Sequence, residues 1–200
     1  RLSSIDCGEI HDDFWPLLNE KRLMPHFHLS LQAGNNLILK RMKRRHSREQ
    51  VINFCKKVRS LRGDVVFGAD IIAGFPTETD EMFLDSINII KECQLTHLHI
   101  FPYSIRNNTP AAMMPQVPKS IIKKRARLLR DEGQKQMNKY LQKQIGNPAI
   151  VLVEQTKEDY SYGKSQHYTK IRLNKNLKEG EIVNCIITDF NEDILKARIA

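Results

Sequence analysis

The sequence predicts an α/β protein with a parallel sheet, followed by a small all-β domain. Short apolar segments alternate with helical patterns in the first part of the chain. Strand starts recur there roughly every 25–40 residues, as repeated βα units require. From Gly146 onward the pattern changes to short alternating strands separated by turn residues. We therefore place one domain at residues 1–138 and a second at residues 139–200.

Four segments of the first domain have the apolar runs or alternation typical of strands: Leu2–Ile5, Phe27–Gln32, Val65–Gly74 and Thr96–Tyr103. In the second of these, His28, Ser30 and Gln32 occupy one face and the apolar side chains the other. The apolar face of such a strand packs on helices, so the polar face is expected to line a barrel interior. The alternative is that Ser30 and Gln32 only satisfy each other beside a strand end.

Helices are predicted between these strands. Ser47 and Gln50 have the spacing of a capping box before an apolar pattern of helical period, formed by Val51, Phe54, Val58 and Leu61. A second helix is expected to begin near Thr79, because Asp80 and Glu81 suit the positive end of a helix dipole. A long connecting helix is predicted between Pro118 and Ile145.

The second domain is predicted to be a small all-β barrel or sandwich of roughly 55 residues. Its strand candidates are Ala149–Gln155, Tyr168–Leu173, Glu181–Asp189 and Ile194–Ile199.

Charge favours a polyanionic partner. The 200 residues carry a formal net charge of +9, which makes nucleic acid the leading candidate. Five cations lie within residues 40–45, and cations surround Tyr168 in the second domain. Such patterns suit phosphate contacts and base stacking, although a solvated face is the competing explanation.

The chain has no apolar run near the roughly 18 residues that span a bilayer, so we expect no membrane partner. Its four cysteines match neither a metal-ligand spacing nor a dense disulfide framework, which favours the cytoplasm. The first residue is Arg1 rather than Met, and we expect the chain to begin inside a longer protein.

Two segments could carry chemistry. Residues 71–79 run from a strand through Gly74 and Pro76 into a helix, which suits a cofactor edge or a plain strand-to-helix turn. Asp70 lies in the same strand, and paired histidines occur at His26, His28, His97 and His99. These groups are compatible with a zinc-dependent hydrolase, although hydrogen-bonded histidines are commoner.

Four ordered blocks of sequence carry a resemblance to a known family. They are Arg1-Leu2-Ser3-Ser4-Ile5-Asp6, His28-Leu29-Ser30-Leu31-Gln32-Ala33-Gly34, Asp70-Ile71-Ile72-Ala73-Gly74-Phe75-Pro76-Thr77-Glu78-Thr79 and His99-Ile100-Phe101-Pro102-Tyr103-Ser104. Together they resemble the radical S-adenosylmethionine (SAM) methylthiotransferases, and most of all the MtaB branch. The sequence departs from the family pattern at Cys7, Ala33 and Asn108, where Pro, Ser and Gly are usual.

This resemblance implies the later half of a radical SAM βα barrel, of partial TIM type, followed by a TRAM-like RNA-binding domain. It implies a transferase that methylthiolates N6-threonylcarbamoyladenosine beside the tRNA anticodon. Family members use SAM and two four-iron four-sulfur clusters, with tRNA, an electron donor and a sulfur source as partners. The cluster-binding cysteines are absent from this chain, so the resemblance implies that an upstream polypeptide carries them and that this chain alone is inactive.

The resemblance also implies site residues. Ser30, Gln32, Ile72, Gly74 and Glu78 are expected to bind SAM, and Tyr103 is expected to line the barrel interior. Arg44 matches a Met-x-Arg pattern and is expected to contact substrate phosphate or the cofactor carboxylate. Arg45, in the same basic run, is expected to contact RNA. Lys164, Lys170 and Arg172 are expected to contact RNA. No catalytic residue and no protein metal ligand is assigned. The rival hypotheses are a non-catalytic RNA-binding remnant and the zinc-dependent hydrolase.

Overall fold

The computed structural model describes residues 1–200 and divides them into two compact units. The first unit comprises residues 1–23 and 27–136, and the second comprises residues 24–26 and 137–200. None of the helices is both long enough and apolar enough to cross a bilayer.

The first unit contains a four-stranded sheet with the order β1-β2-β3-β4. Its strands are β1 (Leu2–Ile5), β2 (His26–Gln32), β3 (Val66–Ala73) and β4 (Leu95–Pro102). β1 pairs with β2, and β3 with β4, in parallel. The predicted parallel sheet is confirmed, with strand ends within one residue of the predicted ones.

Helices connect these strands, as parallel pairing requires. They are α1 (Phe14–Leu17), α2 (Asn36–Arg41), α3 (Arg48–Leu61) and α4 (Asp80–Glu92), and the long α5 (Lys119–Gln144) follows β4. Short 3-10 turns occupy Cys7–Glu9 and Pro110–Met113. The predicted capping box is confirmed, since the Gln50 N–H donates to Ser47 Oγ and the Ser47 N–H donates to Gln50 Oε1. Thr79 caps α4 by accepting from the Met82 N–H.

The core of the first unit lies between the sheet and its helices. Phe27, Leu29 and Leu31 of β2 are at most 1% exposed, and they meet Val51, Phe54 and Val58 of α3 in one apolar cluster. Leu61, which shares their helical spacing, is instead 51% exposed because α3 ends there. The buried Ile122, Ala126 and Leu129 of α5 complete the helical cover of the first unit.

The second unit contains a closed five-stranded barrel with the order β5-β6-β7-β9-β8. Its strands are β5 (Pro148–Lys157), β6 (Tyr160–Ser165), β7 (Lys170–Leu173), β8 (Ile182–Asn191) and β9 (Ile194–Ile199). β7 and β9 pair in parallel, and all other pairs are antiparallel. Small closed barrels of five strands with a Greek-key connection are typical of OB-folds. The barrel alternative of the sequence analysis is therefore the observed one.

Candidate functional site

Polar side chains share one face of the parallel sheet. His28, Ser30 and Gln32 of β2 lie on the face opposite the buried Phe27, Leu29 and Leu31, as the alternation predicted. Ser30 and Gln32 make no hydrogen bond to each other, so their mutual satisfaction does not explain this face.

The ladder between β3 and β4 continues the polar face across the sheet. Asp70 of β3 lies beside His99 of β4, and Ile72 lies beside Phe101. None of these four residues is buried. Asp70 and Ile72 are partly exposed, and His99 and Phe101 are exposed. The sheet therefore presents a graded surface, polar at its middle and apolar towards the ends of the strands.

A cavity of about 420 Å³ opens at the carboxyl ends of these strands. Its lining residues are Gln32, Asp70, Ile72, Phe101, Pro102, Tyr103, Ser104, Arg106, Thr109 and Ala111. This volume lies within the roughly 300–1,000 Å³ of small-molecule sites, and βα folds bind ligands at this edge. The position and lining make this cavity the candidate binding site of the first unit.

Gln32 stands at the edge of the cavity in an unusual backbone conformation. It is the last residue of β2, and its φ is +65°, in the left-handed region that non-glycine residues rarely adopt. Such a conformation costs of order 1–3 kcal/mol and persists where the surrounding structure enforces it, often beside a ligand. Gln32 is therefore placed at the cavity by a strained turn.

Tyr103 forms one wall of the cavity. Its backbone N–H donates to the Ala73 carbonyl at 2.9 Å, and its ring packs edge-on against Phe75 with centroids 5.5 Å apart. The hydroxyl is buried and has no hydrogen-bond partner. A buried hydroxyl without a partner is unfavourable, so this group is available to a ligand polar atom.

The turn after β3 is fixed by a buried ionic network. Glu78 Oε2 accepts from the Gly74 N–H at 3.0 Å and from Arg125 Nη1 at 2.9 Å. Arg125 Nη2 also donates to Asp80 Oδ1 at 2.7 Å. Burial raises the pKa of Glu78, opposed by the charge of Arg125 and by the Gly74 hydrogen bond. The Glu78 carboxylate thus holds the protein backbone, and its side chain faces the interior.

Gly74 is required by this packing. Its φ is +74°, and a Cβ there would lie 2.6 Å from Ile122 Cγ1 of α5. We assign Gly74 and Glu78 a positioning role in the turn at the cavity edge, while their direct contact with SAM stays a prediction. Gln32 and Ile72 are the predicted SAM-binding residues that the structure brings together in the cavity, and Ser30 lies outside its lining.

Asp70 joins two imidazoles on the polar face. His28 Nε2 lies 2.8 Å from Asp70 Oδ1, and His99 Nδ1 lies 3.1 Å from the same oxygen. The rings of the two histidines are tilted by 35° to each other, with centroids 4.6 Å apart. Gly68 makes room for this cluster, because a Cβ there would lie 2.5 Å from His28 Nδ1. His26 and His97, which the sequence analysis also singled out, are not members of it.

The basic loop between α2 and α3 is tied to the sheet by His46. Its ring nitrogens lie 3.0 Å from Asp6 Oδ1 and 3.2 Å from the Leu31 carbonyl oxygen. Arg45 is held by Glu9 at 3.0 Å, yet its side chain is 80% exposed. Arg44 and Arg45 therefore place positive charge on a loop that His46 holds against the sheet.

The predicted RNA-contacting residues of the second unit lie on two adjacent strands. Lys164 of β6 lies beside Lys170 of β7, and Tyr162 lies beside Arg172. Arg172 sits over the ring of Tyr160 at 4.6 Å, and Lys164 sits over that of Tyr168 at 4.1 Å. Cations and aromatic rings are thus interleaved on one outer face of the barrel, which we call the β6–β7 face.

Sequence reasoning missed Arg125 and the role of Asp70 as a shared acceptor. Arg125 lies among many cations of α5, and nothing local distinguishes the one that faces inward. Its position on the same helical side as Ile122 and Leu129 was the available signal.

Comparisons with known proteins agree with this architecture. Residues 4–90 match the model of the radical SAM superfamily. The chain is 47% identical over 197 residues to the threonylcarbamoyladenosine tRNA methylthiotransferase MtaB of Rickettsia prowazekii (strain Madrid E). The aligned residues make up 98% of this chain and 46% of the relative. It is 38% identical over 158 residues to the protein of the same name from Aquifex aeolicus (strain VF5). Here the aligned residues make up 76% of this chain and 38% of the relative.

A differently named relative also matches. The tRNA-2-methylthio-N(6)-dimethylallyladenosine synthase of Ehrlichia ruminantium (strain Gardel) is 34% identical over 182 residues, which cover 88% of this chain and 41% of the relative. The chain spans less than half the length of these relatives. Residues 4–90 thus match the radical SAM superfamily. Over most of its length the chain is similar to relatives named as methylthiotransferases, which confirms the resemblance seen in its sequence.

Radical SAM proteins use SAM and iron–sulfur clusters, and the two groups fit this chain differently. The cavity, with its unpartnered Tyr103 hydroxyl and apolar Ile72 and Phe101, suits a nucleoside-sized cofactor. The cysteines do not fit a cluster, because no set of three converges. Burial also raises the pKa of Cys7 to about 12, and clusters are held by thiolates. The cavity therefore fits a cofactor of this size, whereas the cysteines do not fit a cluster.

Proposed function

We propose that this chain is the part of a tRNA methylthiotransferase that binds SAM and tRNA, and that the whole enzyme modifies N6-threonylcarbamoyladenosine next to the anticodon. The observation that carries the proposal is the cavity at the carboxyl ends of β2, β3 and β4, of which β2 and β3 lie in the segment that matches radical SAM proteins. The transferase family also disfavours the hydrolase alternative.

The chain's own residues would hold SAM in this cavity. Ile72 and Phe101 offer apolar surface to a base or ribose, while Gln32, with its amide, and Tyr103, with its hydroxyl, offer polar contacts. Arg106 supplies a cation to an anionic group, and the Glu78–Arg125 pair keeps the turn beside the cavity in place. When bound there, SAM would supply the radical chemistry of the methylthiolation.

The cluster chemistry must come from outside these 200 residues. The family uses two four-iron four-sulfur clusters, and we propose that their cysteines lie on an upstream polypeptide, together with the sites for the electron donor and sulfur source. The cysteines of this chain support that proposal, because they are mainly buried and are far apart in the sequence. They also support the view that the chain alone does not complete the reaction.

We propose that the second unit is a TRAM-like domain that contacts tRNA. In OB-type barrels, oligonucleotides bind across the second and third strands. Those strands are β6 and β7 here, and they carry Lys164, Lys170 and Arg172 beside two tyrosines. Stacking on aromatic rings together with phosphate neutralisation is a common mode of RNA binding. Modification of tRNA in the cytoplasm is consistent with the free cysteines.

Similarity supports the threonylcarbamoyl substrate over the dimethylallyl one. The Rickettsia relative named for threonylcarbamoyladenosine is 47% identical over nearly the whole chain, against 34% for the Ehrlichia relative named for the dimethylallyl nucleoside. The second candidate function is RNA binding without catalysis. The lack of cluster ligands in this chain and its β6–β7 face favour that alternative.

Nucleoside mass spectrometry of total tRNA tests the proposal. The comparison uses tRNA from the source cell, from a strain that lacks the gene, and from the deletion strain after the gene is restored. We expect the methylthiolated threonylcarbamoyl nucleoside to disappear in the deletion strain, its precursor to accumulate, and complementation to restore it. An unchanged profile would reject the activity and leave RNA binding as the function. Loss of the methylthiolated dimethylallyl nucleoside instead would reject the assigned substrate.

A further inference from the structure

Three potential metal ligands converge on the polar face of the first unit. His28, Asp70 and His99 each offer one ligand atom, and these atoms all lie within 4.8 Å of one another. The residues come from three different strands, β2, β3 and β4, so the sheet itself brings them together. No other group of three histidine, cysteine or carboxylate side chains in the chain does so.

The cluster is held by the fold rather than by flexible segments. The side chain of His28 is 7% exposed and that of Asp70 is 26% exposed. Gly68 leaves the space that the His28 ring fills, and the β3–β4 ladder sets Asp70 beside His99. Metal sites built on regular elements are better preorganised than sites on loops. Little rearrangement of the backbone is therefore needed to bring the ligands onto one ion.

Hydrogen bonding within the cluster leaves its ligand capacity intact. Asp70 Oδ1 accepts from His28 Nε2 and His99 Nδ1, whereas Oδ2 has no hydrogen-bond partner. Neutral imidazole carries its proton on either ring nitrogen. In each ring, moving the proton to the other nitrogen leaves a lone pair on the nitrogen that now donates to Asp70, and this lone pair can bind an ion.

We propose that His28, Asp70 and His99 bind a divalent transition-metal ion. Two imidazoles and one carboxylate suit zinc, iron(II) or cobalt(II) better than calcium or magnesium, which prefer all-oxygen sites. Three protein ligands leave at least one coordination position open. Asp70 also lines the 420 Å³ cavity, so the ion would lie at the edge of that cavity.

Metal titration of the purified 200-residue chain tests this site. The chain is first stripped with a chelator and then titrated with Co²⁺ and Zn²⁺, with bound metal measured by equilibrium dialysis and elemental analysis. We expect one ion per chain and visible Co²⁺ bands typical of a nitrogen- and oxygen-ligated ion, without the intense charge-transfer band of a thiolate. Absence of saturable binding, or a thiolate band, overturns the proposal.

Single substitutions then locate the ion. We expect His28→Gln, Asp70→Asn and His99→Gln each to weaken Zn²⁺ affinity at least tenfold. The matched control is His97→Gln, on the same strand and face as His99 but outside the cluster. Equal weakening by His97→Gln, or unchanged affinity in His99→Gln, overturns the proposal. His99 is 61% exposed, so this variant tests the ligand without disturbing the core.

The inference does not depend on the proposed function. Metal binding is measured on the chain itself, whereas methylthiolation is measured on cellular tRNA. A chain that binds no metal but whose gene is required for methylthiolation rejects only the metal site, and the converse result rejects only the activity.

Discussion

Arg125 and Glu78 form a buried ion pair in which Arg125 Nη1 donates to Glu78 Oε2 at 2.9 Å. The two side chains are 6% and 1% exposed. The pair joins α5 to the turn between β3 and α4, and the same carboxylate oxygen accepts the Gly74 N–H. A residue of the cavity edge is thus held in place by a helix that begins more than forty residues later in the chain.

Replacing Arg125 by Gln should destabilise the first unit strongly. Glu78 would remain buried and lose its cationic partner, and breaking a buried pair in this way costs about 3–5 kcal/mol. Urea unfolding should show this loss in the free energy of unfolding. Arg127→Gln, an exposed change on the same helix, is the control and should stay within about 0.5 kcal/mol of the wild type.

A double variant distinguishes the ion pair from simple loss of packing. Adding Glu78→Gln to Arg125→Gln removes the buried charge, so part of the lost stability should return. If the double variant is as unstable as the sum of the two single variants, the pair does not act through its charges.

The stability of the first unit should depend on pH through Glu78. Burial is the largest influence on the pKa of this carboxyl and raises it above the ordinary value of 4.5, despite Arg125. The protonated form is therefore favoured by folding. This stabilising contribution is fully present below pH 4.5 and is lost as the pH rises through the raised folded-state pKa.

Comparison with Glu78→Gln isolates this effect. As the pH rises from 4 to 8, the free energy of unfolding of the wild type should fall relative to that of Glu78→Gln. A difference that is flat across this range, or that moves in favour of the wild type, would contradict the assignment.

The basic loop should contribute to tRNA affinity. Arg44→Glu with Arg45→Glu removes two candidate phosphate contacts, so fewer counterions are released on binding. We expect weaker binding and a salt-dependence slope smaller by about one to two units. Lys56→Glu with Lys123→Glu makes the same charge change at exposed sites elsewhere in the first unit. If the control pair weakens binding equally, net charge rather than the loop is responsible.

The β6–β7 face should make a separate contribution. Lys170 is exposed at the start of β7, beside Lys164 in the ladder. Lys170→Glu should weaken tRNA binding severalfold, because it places a carboxylate where phosphate is expected. Lys178→Glu, which lies off these strands and is equally exposed, is the matched control. Fluorescence anisotropy at several salt concentrations measures both, and equal effects would reject this face as the contact surface.

Much of the fold follows from local patterns in the sequence. The alternation in Phe27–Gln32 predicted which side chains lie in the core and which lie on the polar face. The spacing of Ser47 and Gln50 predicted where α3 begins. These features were predictable because each arises from neighbours in the chain. The cavity-lining positions Gln32 and Ile72 followed instead from the family resemblance.

Strand β6 was not predicted, and the reason is physical. Its inward-facing residues are Ser161, Gly163 and Ser165, so the strand has no apolar alternation to detect. Gly163 is needed because a Cβ there would lie 2.1 Å from the Leu152 carbonyl oxygen. The backbone of β5 approaches β6 closely at this point, and small residues replace the usual aliphatic ones. Tyr168, predicted to begin the next strand, instead has a φ of +64° in the turn before β7.

Long-range pairings were beyond sequence reasoning for a different reason. The pairing of Glu78 with Arg125 and the meeting of His28 with Asp70 and His99 join elements far apart in the chain. Periodicity places a residue on a face, but it does not say which distant residue that face meets. The histidines and Asp70 can be recognised separately in the sequence, but only the strand order brings them together.

Tyr103→Phe should separate the stability of the protein from the function of its cavity. The Tyr103 hydroxyl is buried without a hydrogen-bond partner, so its removal should raise the free energy of unfolding by about 1 kcal/mol. The ring and its edge-on contact with Phe75 remain, so the wall of the cavity keeps its shape. If the hydroxyl binds a polar atom of SAM, the same variant should bind SAM severalfold more weakly by isothermal titration calorimetry. Higher stability with unchanged SAM affinity would show that the hydroxyl does not contact the cofactor, and lower stability would show that it has a partner within the protein.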